Sequence, residues 1–176
     1  IVDAGAHTGE SIEWAKRTYN ERLVRIDSFE PLPYNLDILK QKYTDDPLIV
    51  IHEEAVDIND GVTKFYPQDW GARTGSSLVK GKASTSSMPL LVCCIDLASW
   101  IKENMSSENY NIAKIDVEGY EMILIPHLFD SGICDIIDEW FIEIHDAGKN
   151  PIYSDSLLKL IEEKNIKWTD WGLDLK

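Results

Sequence analysis

The sequence predicts an α/β fold built on a mostly parallel sheet, and three observations carry that expectation. Short apolar runs alternate with amphipathic stretches along most of the chain, the pattern of strands joined by crossover helices. The first run, IVDAG, passes directly into a turn containing glycine and then into helical spacing of Ile12, Ala15 and Tyr19. Several apolar runs end in acidic residues, as suits strand ends that face a polar ligand in an open sheet.

After IVDAG and the helix SIEWAKRTY, the run RIDSFE predicts a second strand that Pro31 and Pro33 terminate. YNLDILKQKY predicts a second helix and LIVIHEEA a third strand. In NDGVTKFY, Asp60-Gly61 followed by alternation predicts a hairpin. The segment from about residue 67 to 87, rich in Gly, Ser, Thr and Lys, predicts a long functional loop. PLLVCCI is another strand, LASWIKEN a short helix and NIAKIDVEG a buried strand. YEMILIPHLFDSG predicts a helix stopped near Gly132, with Pro126 expected to kink it or end it early. EWFIEIHD is a strand, SDSLLKLIEEKN a helix capped by Ser154 or Asp155, and IKWTDW a last strand. Trp168 and Trp171 could form an exposed apolar edge.

The 176 residues suit a single domain, with 44% hydrophobic and 27% charged residues in the ordinary range for a globular chain. A net charge of −14, with no Lys/Arg cluster, argues against a nucleic-acid partner and for a neutral or cationic substrate. The three cysteines, Cys93, Cys94 and Cys134, are too few and too awkwardly spaced for a disulfide framework or a zinc site. Cys93 and Cys94, inside an apolar run, are expected as buried thiols, and the chain as a product of the reducing cytoplasm. No run approaches a membrane span and no signal peptide is present. Because residue 1 is Ile, the chain reads as the core of a longer protein.

The chemistry gathers at the strand ends. Asp3-Ala4-Gly5-Ala6-His7-Thr8-Gly9 follows the first strand, with Gly5 expected to permit a tight turn and Gly9 to let backbone approach a ligand. A dinucleotide fingerprint counted from Gly5 needs glycine at 7 and 10, where His7 and Glu10 stand. Glu10 would repel a pyrophosphate at the helix N-terminus. Glu30, ending the second strand 21 residues after Gly9, stands where an acid accepts from ribose hydroxyls. An adenosyl ligand without phosphates, such as S-adenosylmethionine, suits this combination.

Asp116, Glu118 and Gly119 end one strand, and Glu143, His145 and Asp146 end another. Acids and an imidazole converging there suit two tasks: general-base removal of a hydroxyl proton, and binding of a divalent cation such as magnesium by Asp116 with Glu143. As a plain structural alternative, Asp116 and Glu118 complement a helix dipole and His145 is a hydrogen-bonded core residue. Lys114, inside an apolar strand, requires a carboxylate partner or a substrate. His7 and His52 are expected to be structural or solvated. In the long loop, Trp70 could stack on a sugar ring or adenine, and Arg73, Ser76 and Ser77 could bind hydroxyls.

VDAGAHTGES, FEPLPYNLDIL, EEAVDINDG, SSL, IDLASWI and AKIDVEGYEMILI occur in the order found in FkbM-family methyltransferases, and the chain resembles that family from residue 1 to about 146. The resemblance implies a class I, Rossmann-like fold: a seven-stranded sheet between helices, using S-adenosylmethionine. It implies O-methylation, commonly of sugar or polyketide hydroxyls. By position, the turn from Asp3 through Gly5, Ala6, His7 and Thr8 to Gly9 would hold the methionine part. Glu30 with Pro31 would hold the ribose, Glu54, Ala55 and Val56 would border the adenine, and Asp116 would face the methyl group. Asp116 is then the first base candidate and His145 the second, with Glu143 beside them and Glu118 on the acceptor side. The competing readings are a non-sugar acceptor (polyketide, lipid or protein) and a nucleotide-binding module without catalysis.

Overall fold

The computed structural model describes residues 1–68, 74–82, 85–145 and 151–174, without the side chains of 151–153 and 173–174. Six strands form the main sheet: β1 (Val2–Ala4), β2 (Ile26–Phe29), β3 (Ile49–His52), β7 (Ile112–Ile115), β8 (Glu139–Ile142) and β9 (Trp168–Asp170). Their spatial order is β3-β2-β1-β7-β8-β9, and every neighbouring pair is parallel. Chain order reverses at β1, which lies between β2 and β7. The crevice beyond the carboxyl ends of these strands is therefore the place where such sheets bind ligands.

Helices cover both faces, as expected. The helices α1 (Glu10–Tyr19) and α2 (Pro33–Tyr43), with the short C-terminal α6 (Trp171–Asp174), pack Ile12, Trp14, Leu39 and Trp171 on one side. On the other side, α3 (Leu97–Asn104), α4 (Glu121–Asp130) and α5 (Pro151–Glu163) bury Leu97, Ile101, Leu124, Leu128 and Leu157. Covered on both faces, β1 and β7 are buried at every residue, Asp3 and Lys114 included, so their charged side chains have to be paired inside the sheet. Among the described residues, no helix is long and apolar enough to cross a membrane.

Several sequence expectations are corrected. The main sheet has six described strands rather than seven. LIVIHEEA is not one strand: the chain bends at Glu53-Glu54, and β4 (Ala55–Asp57) joins a separate three-stranded sheet. There is no hairpin at Asp60-Gly61, because β6 (Leu90–Asp96) inserts between β4 and β5 (Gly61–Phe65). A local turn signal cannot reveal that a later strand will take the middle place. This small sheet leaves one face to solvent, so Cys93 is exposed beside exposed Leu91, while Cys94 points inward and is buried. Pro126 does not end α4, where burial of Leu124, Ile125, Leu128 and Phe129 outweighs one missing hydrogen bond. The next helix starts at Pro151, at the first helical position where proline is favoured, so Ser154 and Asp155 lie inside it rather than capping it. Trp171 is no exposed edge. It is 1% accessible and meets Trp14 edge-to-face at 5.0 Å.

The ends of β1 and β7 approach so closely that Gly5 is obligatory. It has φ +85°, and a Cβ there would lie 2.0 Å from the Asp116 carbonyl oxygen. Gly9, with φ +100°, starts α1 against the Tyr43 ring, whose hydroxyl would stand 2.5 Å from an added Cβ. Its small size thus serves packing between helices, not the close approach to a ligand that its spacing suggested.

Gly5→Ala should lower stability by roughly 3 kcal/mol, from left-handed strain plus separation of two strand ends. Gly132→Ala is the matched control, because its φ is +77° and nothing lies within 4 Å of an added Cβ. It should cost about 1 kcal/mol. Urea unfolding of both variants checks the difference, and equal losses would remove the contact with Asp116 as the cause.

Candidate functional site

A cavity of ≈ 280 Å³ opens at the switch point beyond β1, β2 and β7. Of the residues singled out in the sequence, Gly5, Ala6, His7, Glu30, Pro31, Ala55, Val56, Ser76, Asp116 and Glu118 line it. Trp70, Arg73 and Asp146 lie outside the described residues.

The cavity floor is built on a buried charge cluster. Lys114 is 3% accessible and donates to the Gly5 carbonyl at 2.7 Å. Its ammonium lies 3.3 Å from Asp3 Oδ1 and 3.5 Å from Asp116 Oδ2. Burial alone would lower its pKa, but the Asp116 and Asp3 carboxylates outweigh burial and raise it above the ordinary lysine value. The expected carboxylate partner of Lys114 is therefore present, twice over. Asp3 does not line the cavity. Its Oδ2 accepts from Ser11 at 2.6 Å and Ser28 at 3.0 Å, so it anchors three elements beneath the site.

The turn from 5 to 9 forms the first wall. His7 has φ +50°, a left-handed conformation uncommon outside glycine. That conformation aims its backbone N–H at Glu30 Oε2, 3.0 Å away. Thr8 turns its hydroxyl to Glu10 Oε1 at 2.7 Å and its carbonyl to Lys42 at 2.7 Å, away from the cavity. Glu10 lines the cavity mouth, where its hydrogen bond to His7, opposed by burial and aided by Thr8, holds its carboxyl at about 2. It is thus a fixed negative charge at the α1 N-terminus.

Glu30 is 5% accessible, and its other oxygen, Oε1, accepts from the Leu32 N–H at 2.9 Å. Burial raises its pKa to about 7, despite the hydrogen bonds from Leu32, Asn35 and His7. His52 does not reach the cavity. It stacks on Phe29 at 4.3 Å and meets Asp27 at 2.9 Å, the structural role expected of it. Glu54 also lies off the cavity wall, in an outer groove with His52 and Leu91.

The second wall is acidic. Glu118 has φ +56° and pairs with Lys82 from the long loop. That loop folds back on itself through bridges between Tyr66 and Ser77 and between Gln68 and Thr85. Ser77 supports the loop rather than lining the cavity, accepting from Val79 N–H at 3.0 Å and donating to the Val117 carbonyl at 3.4 Å. His145 Nε2 lies 3.4 Å from Glu118, 3.5 Å from Glu143 and 3.9 Å from Asp116, so the two strand ends do converge.

Sequence reasoning missed the residue that joins them. Glu121 is fully buried and accepts from Val117 N–H at 3.0 Å, Gly119 N–H at 2.8 Å and His145 Nδ1 at 3.1 Å. Its signal was an acid at the start of the apolar helix YEMILIPHLF. Burial alone would lower the His145 pKa, but the Glu121 hydrogen bond and the Glu121, Glu118 and Asp116 charges raise it above the ordinary value. Asp116, Glu121 and His145 have ligand atoms within 4.8 Å of one another, a donor set that could hold a cation. The sequence had paired Asp116 with Glu143. A second missed residue is Asn35, which lines the cavity beside Glu30. Its signal was an amide on the stripe of Leu32, Leu36 and Leu39.

The family model described as "Methyltransferase FkbM domain" matches residues 3–165 of the chain. Among solved structures, the chain is similar to the methyltransferase FkbM from Methylobacillus flagellatus KT, with a TM-score of 0.57 and 18% identity. The similarity covers 94% of this chain and 36% of that one, so the chain spans about a third of that protein's length. At such identity the likeness speaks for the fold alone. No curated protein matches the chain significantly.

The raised pKa of Glu30 has a measurable consequence for stability. Unfolded Glu30 loses its proton near 4.5, whereas the folded carboxyl keeps it to about 7. Between those values the folded state binds more protons, so stability falls as pH rises through the window. The loss amounts to about 3 kcal/mol by pH 8. Glu30→Gln should abolish this term, so that its stability relative to the native chain improves by that amount from pH 4.5 to 8. The acceptor lost to a backbone N–H adds an offset independent of pH, and His145 contributes equally to both proteins. Thermal melts across the range check the slope, and parallel curves would show that Glu30 does not titrate there.

Proposed function

Since the chain belongs to the FkbM methyltransferase domain family, we propose that it is an S-adenosylmethionine-dependent O-methyltransferase acting on a hydroxyl of a sugar or glycan. The observation that carries this reading is the pairing of Glu30 with Glu10 on one cavity wall. The buried Glu30 is an acceptor for ribose hydroxyls, and the ionised Glu10 repels a pyrophosphate at the α1 N-terminus. The residues present thus suit an adenosyl group without phosphates. Ala55 and Val56 offer an apolar border for the adenine, and the turn from Gly5 to His7 would hold the methionine part.

When bound, that cofactor supplies an electrophilic methyl group on a sulfonium. Asp116, at the end of β7, lines the cavity and would hold and orient the acceptor hydroxyl. On transfer, the sulfonium would be the leaving group and would keep the carbon–sulfur bonding pair. The hydroxyl proton passes to Asp116 or to His145, held in place by Glu121. Ser76 and Glu118 face the acceptor side of the cavity and offer hydrogen-bond partners for neighbouring hydroxyls. A sugar suits a cavity wall of this kind, and a net charge of −14 disfavours nucleic acid. We place the protein in the reducing cytoplasm, where its three free cysteines would persist.

A second reading rests on the close approach of Asp116, Glu121 and His145. A divalent cation held there would bind the acceptor oxygen and favour its deprotonated form. Activity abolished by a chelator and restored by magnesium would support this version.

Calorimetry should detect binding of S-adenosylhomocysteine by the native chain, which a scaffold module would not bind; binding of NAD instead would point to a dehydrogenase. A screen of glycan, polyketide and lipid acceptors should then find methyl transfer to a sugar hydroxyl. Asp116→Asn and His145→Ala should lower kcat, the true base by about 10²- to 10⁴-fold. Full methyl transfer by both variants would sink the assignment of either as base.

A further inference from the structure

We infer that Glu10 is the ammonium-reading group of the cavity, its carboxylate selecting an adenosyl ligand that carries an amino-acid end. The inference rests on the adenosyl reading above and assigns the charge partner of that end.

The lining carries four carboxylates, Glu10, Glu30, Asp116 and Glu118. Three are already engaged. Asp116 lies 3.5 Å from the Lys114 ammonium, and Glu118 pairs with Lys82. Glu30 is 5% accessible and accepts from the backbone N–H groups of His7 and Leu32. Glu10 differs from all three. Its side chain is 56% accessible, so a ligand at the cavity mouth can reach it. Among the described residues, no lysine or arginine lies within 4.0 Å of its carboxylate. Lys42 reaches the same turn but donates to the Thr8 carbonyl instead.

The Glu10 carboxylate is also held in one orientation. Thr8 donates its hydroxyl to Oε1 at 2.7 Å and its N–H to Oε2 at 3.3 Å, and His7 Nδ1 lies 3.3 Å from Oε2. A carboxylate offers about four acceptor positions, so room remains for one more donor. Little ordering is then lost when a cation arrives.

His7 connects this group to the far wall. Its N–H meets Glu30 Oε2 at 3.0 Å while its ring meets Glu10, so a single residue bridges the two acids. A ligand whose hydroxyls meet Glu30 needs only a short flexible arm to bring a positive donor to Glu10. The amino-acid end of S-adenosylmethionine or S-adenosylhomocysteine is such an arm, a short carbon chain from sulfur to an ammonium with three donors and a full charge. The carboxylate that repels a pyrophosphate thus attracts this end. As a mere complement to the α1 dipole, Glu10 would affect every adenosyl ligand alike.

The test is calorimetry of the full chain with S-adenosylhomocysteine and with its deaminated analogue, which keeps the carboxylate and carries hydrogen in place of the ammonium. The native chain should bind S-adenosylhomocysteine about fivefold more tightly than the analogue, the upper range for an ion pair open to solvent. Glu10→Gln keeps the size of the side chain and removes its charge. It should bind S-adenosylhomocysteine about fivefold more weakly than the native chain, and the deaminated analogue no more weakly. Raised salt should narrow the native preference. Equal losses for both compounds in Glu10→Gln would make Glu10 a structural residue of the α1 N-terminus and overturn the assignment, as would an unchanged preference. A native chain without the preference, or with one that salt leaves unchanged, overturns it even where the variant fails to fold. A native chain that binds neither compound overturns the adenosyl reading together with this one, whereas binding of both with equal affinity overturns this one alone.

Discussion

The ammonium of Lys114 is the charge around which the site is organised. It stands inside a strand buried on both faces, where an unpaired cation could not persist. Asp3 from β1 and Asp116 from the end of β7 supply opposite charge, and the Gly5 carbonyl supplies the shortest hydrogen bond. Ser11 and Ser28 complete the shell of Asp3, so α1 and β2 are tied to the same point. Removing one member of such a cluster leaves an uncompensated buried charge, typically worth about 3–5 kcal/mol. The close approach of β1 and β7 that makes Gly5 obligatory belongs to the same arrangement, because the Gly5 carbonyl and Asp116 must converge on one Nζ.

Strain and charge accumulate on either side of that cluster. Four described non-glycine residues have positive φ, and two of them, His7 and Glu118, stand on opposite cavity walls. Each aims a polar group that ordinary backbone geometry would misdirect: His7 its N–H toward Glu30, Glu118 its carboxylate toward Lys82 and His145. Buried Glu121 holds the turn that contains Glu118 and orients the imidazole in the same step. The outcome is a cavity whose lining carries Glu30 as a fixed acceptor, with Asp116 and Glu118 also on its lining and both in contact with the imidazole of His145. The proposed methyl transfer would use these two parts of the lining for an adenosyl group without phosphates and for a proton acceptor.

Much of the fold was legible because local patterns there agree with tertiary needs. LASWIKEN is a helix at the bounds expected, since Asp96 accepts from Ala98 and Ser99 and caps it from its own sequence. The all-buried strands of the main sheet announce themselves as short runs with apolar residues at both ends, although Asp3, Asp27, Ser28 and Lys114 lie inside them. The failures share one cause: each depends on a partner distant in sequence. The turn at Asp60-Gly61 looks like a hairpin until β6 takes the central place. Gly9 looks like a ligand contact until Tyr43 arrives from α2. Cys93 looks buried until its strand proves to belong to a half-covered sheet.

The site divides in the same way. Residue type and spacing alone pointed to Glu30, Asp116 and the turn from Gly5 to His7, all of which line the cavity, because strand ends in a parallel sheet must face the ligand crevice. They also set Glu10 against a pyrophosphate, since a charge at a helix N-terminus acts wherever that helix packs. Only the folded chain decided that Asp3 faces Lys114 and two serines instead of the cavity, that Glu121 joins two strand ends, and that Asn35 has an amide end without a partner. The sequence carries periodicity and residue chemistry, which determine the class of element and the kind of group at its end. Which buried polar group meets which is settled by packing between elements far apart in the chain, and buried charges admit few such arrangements.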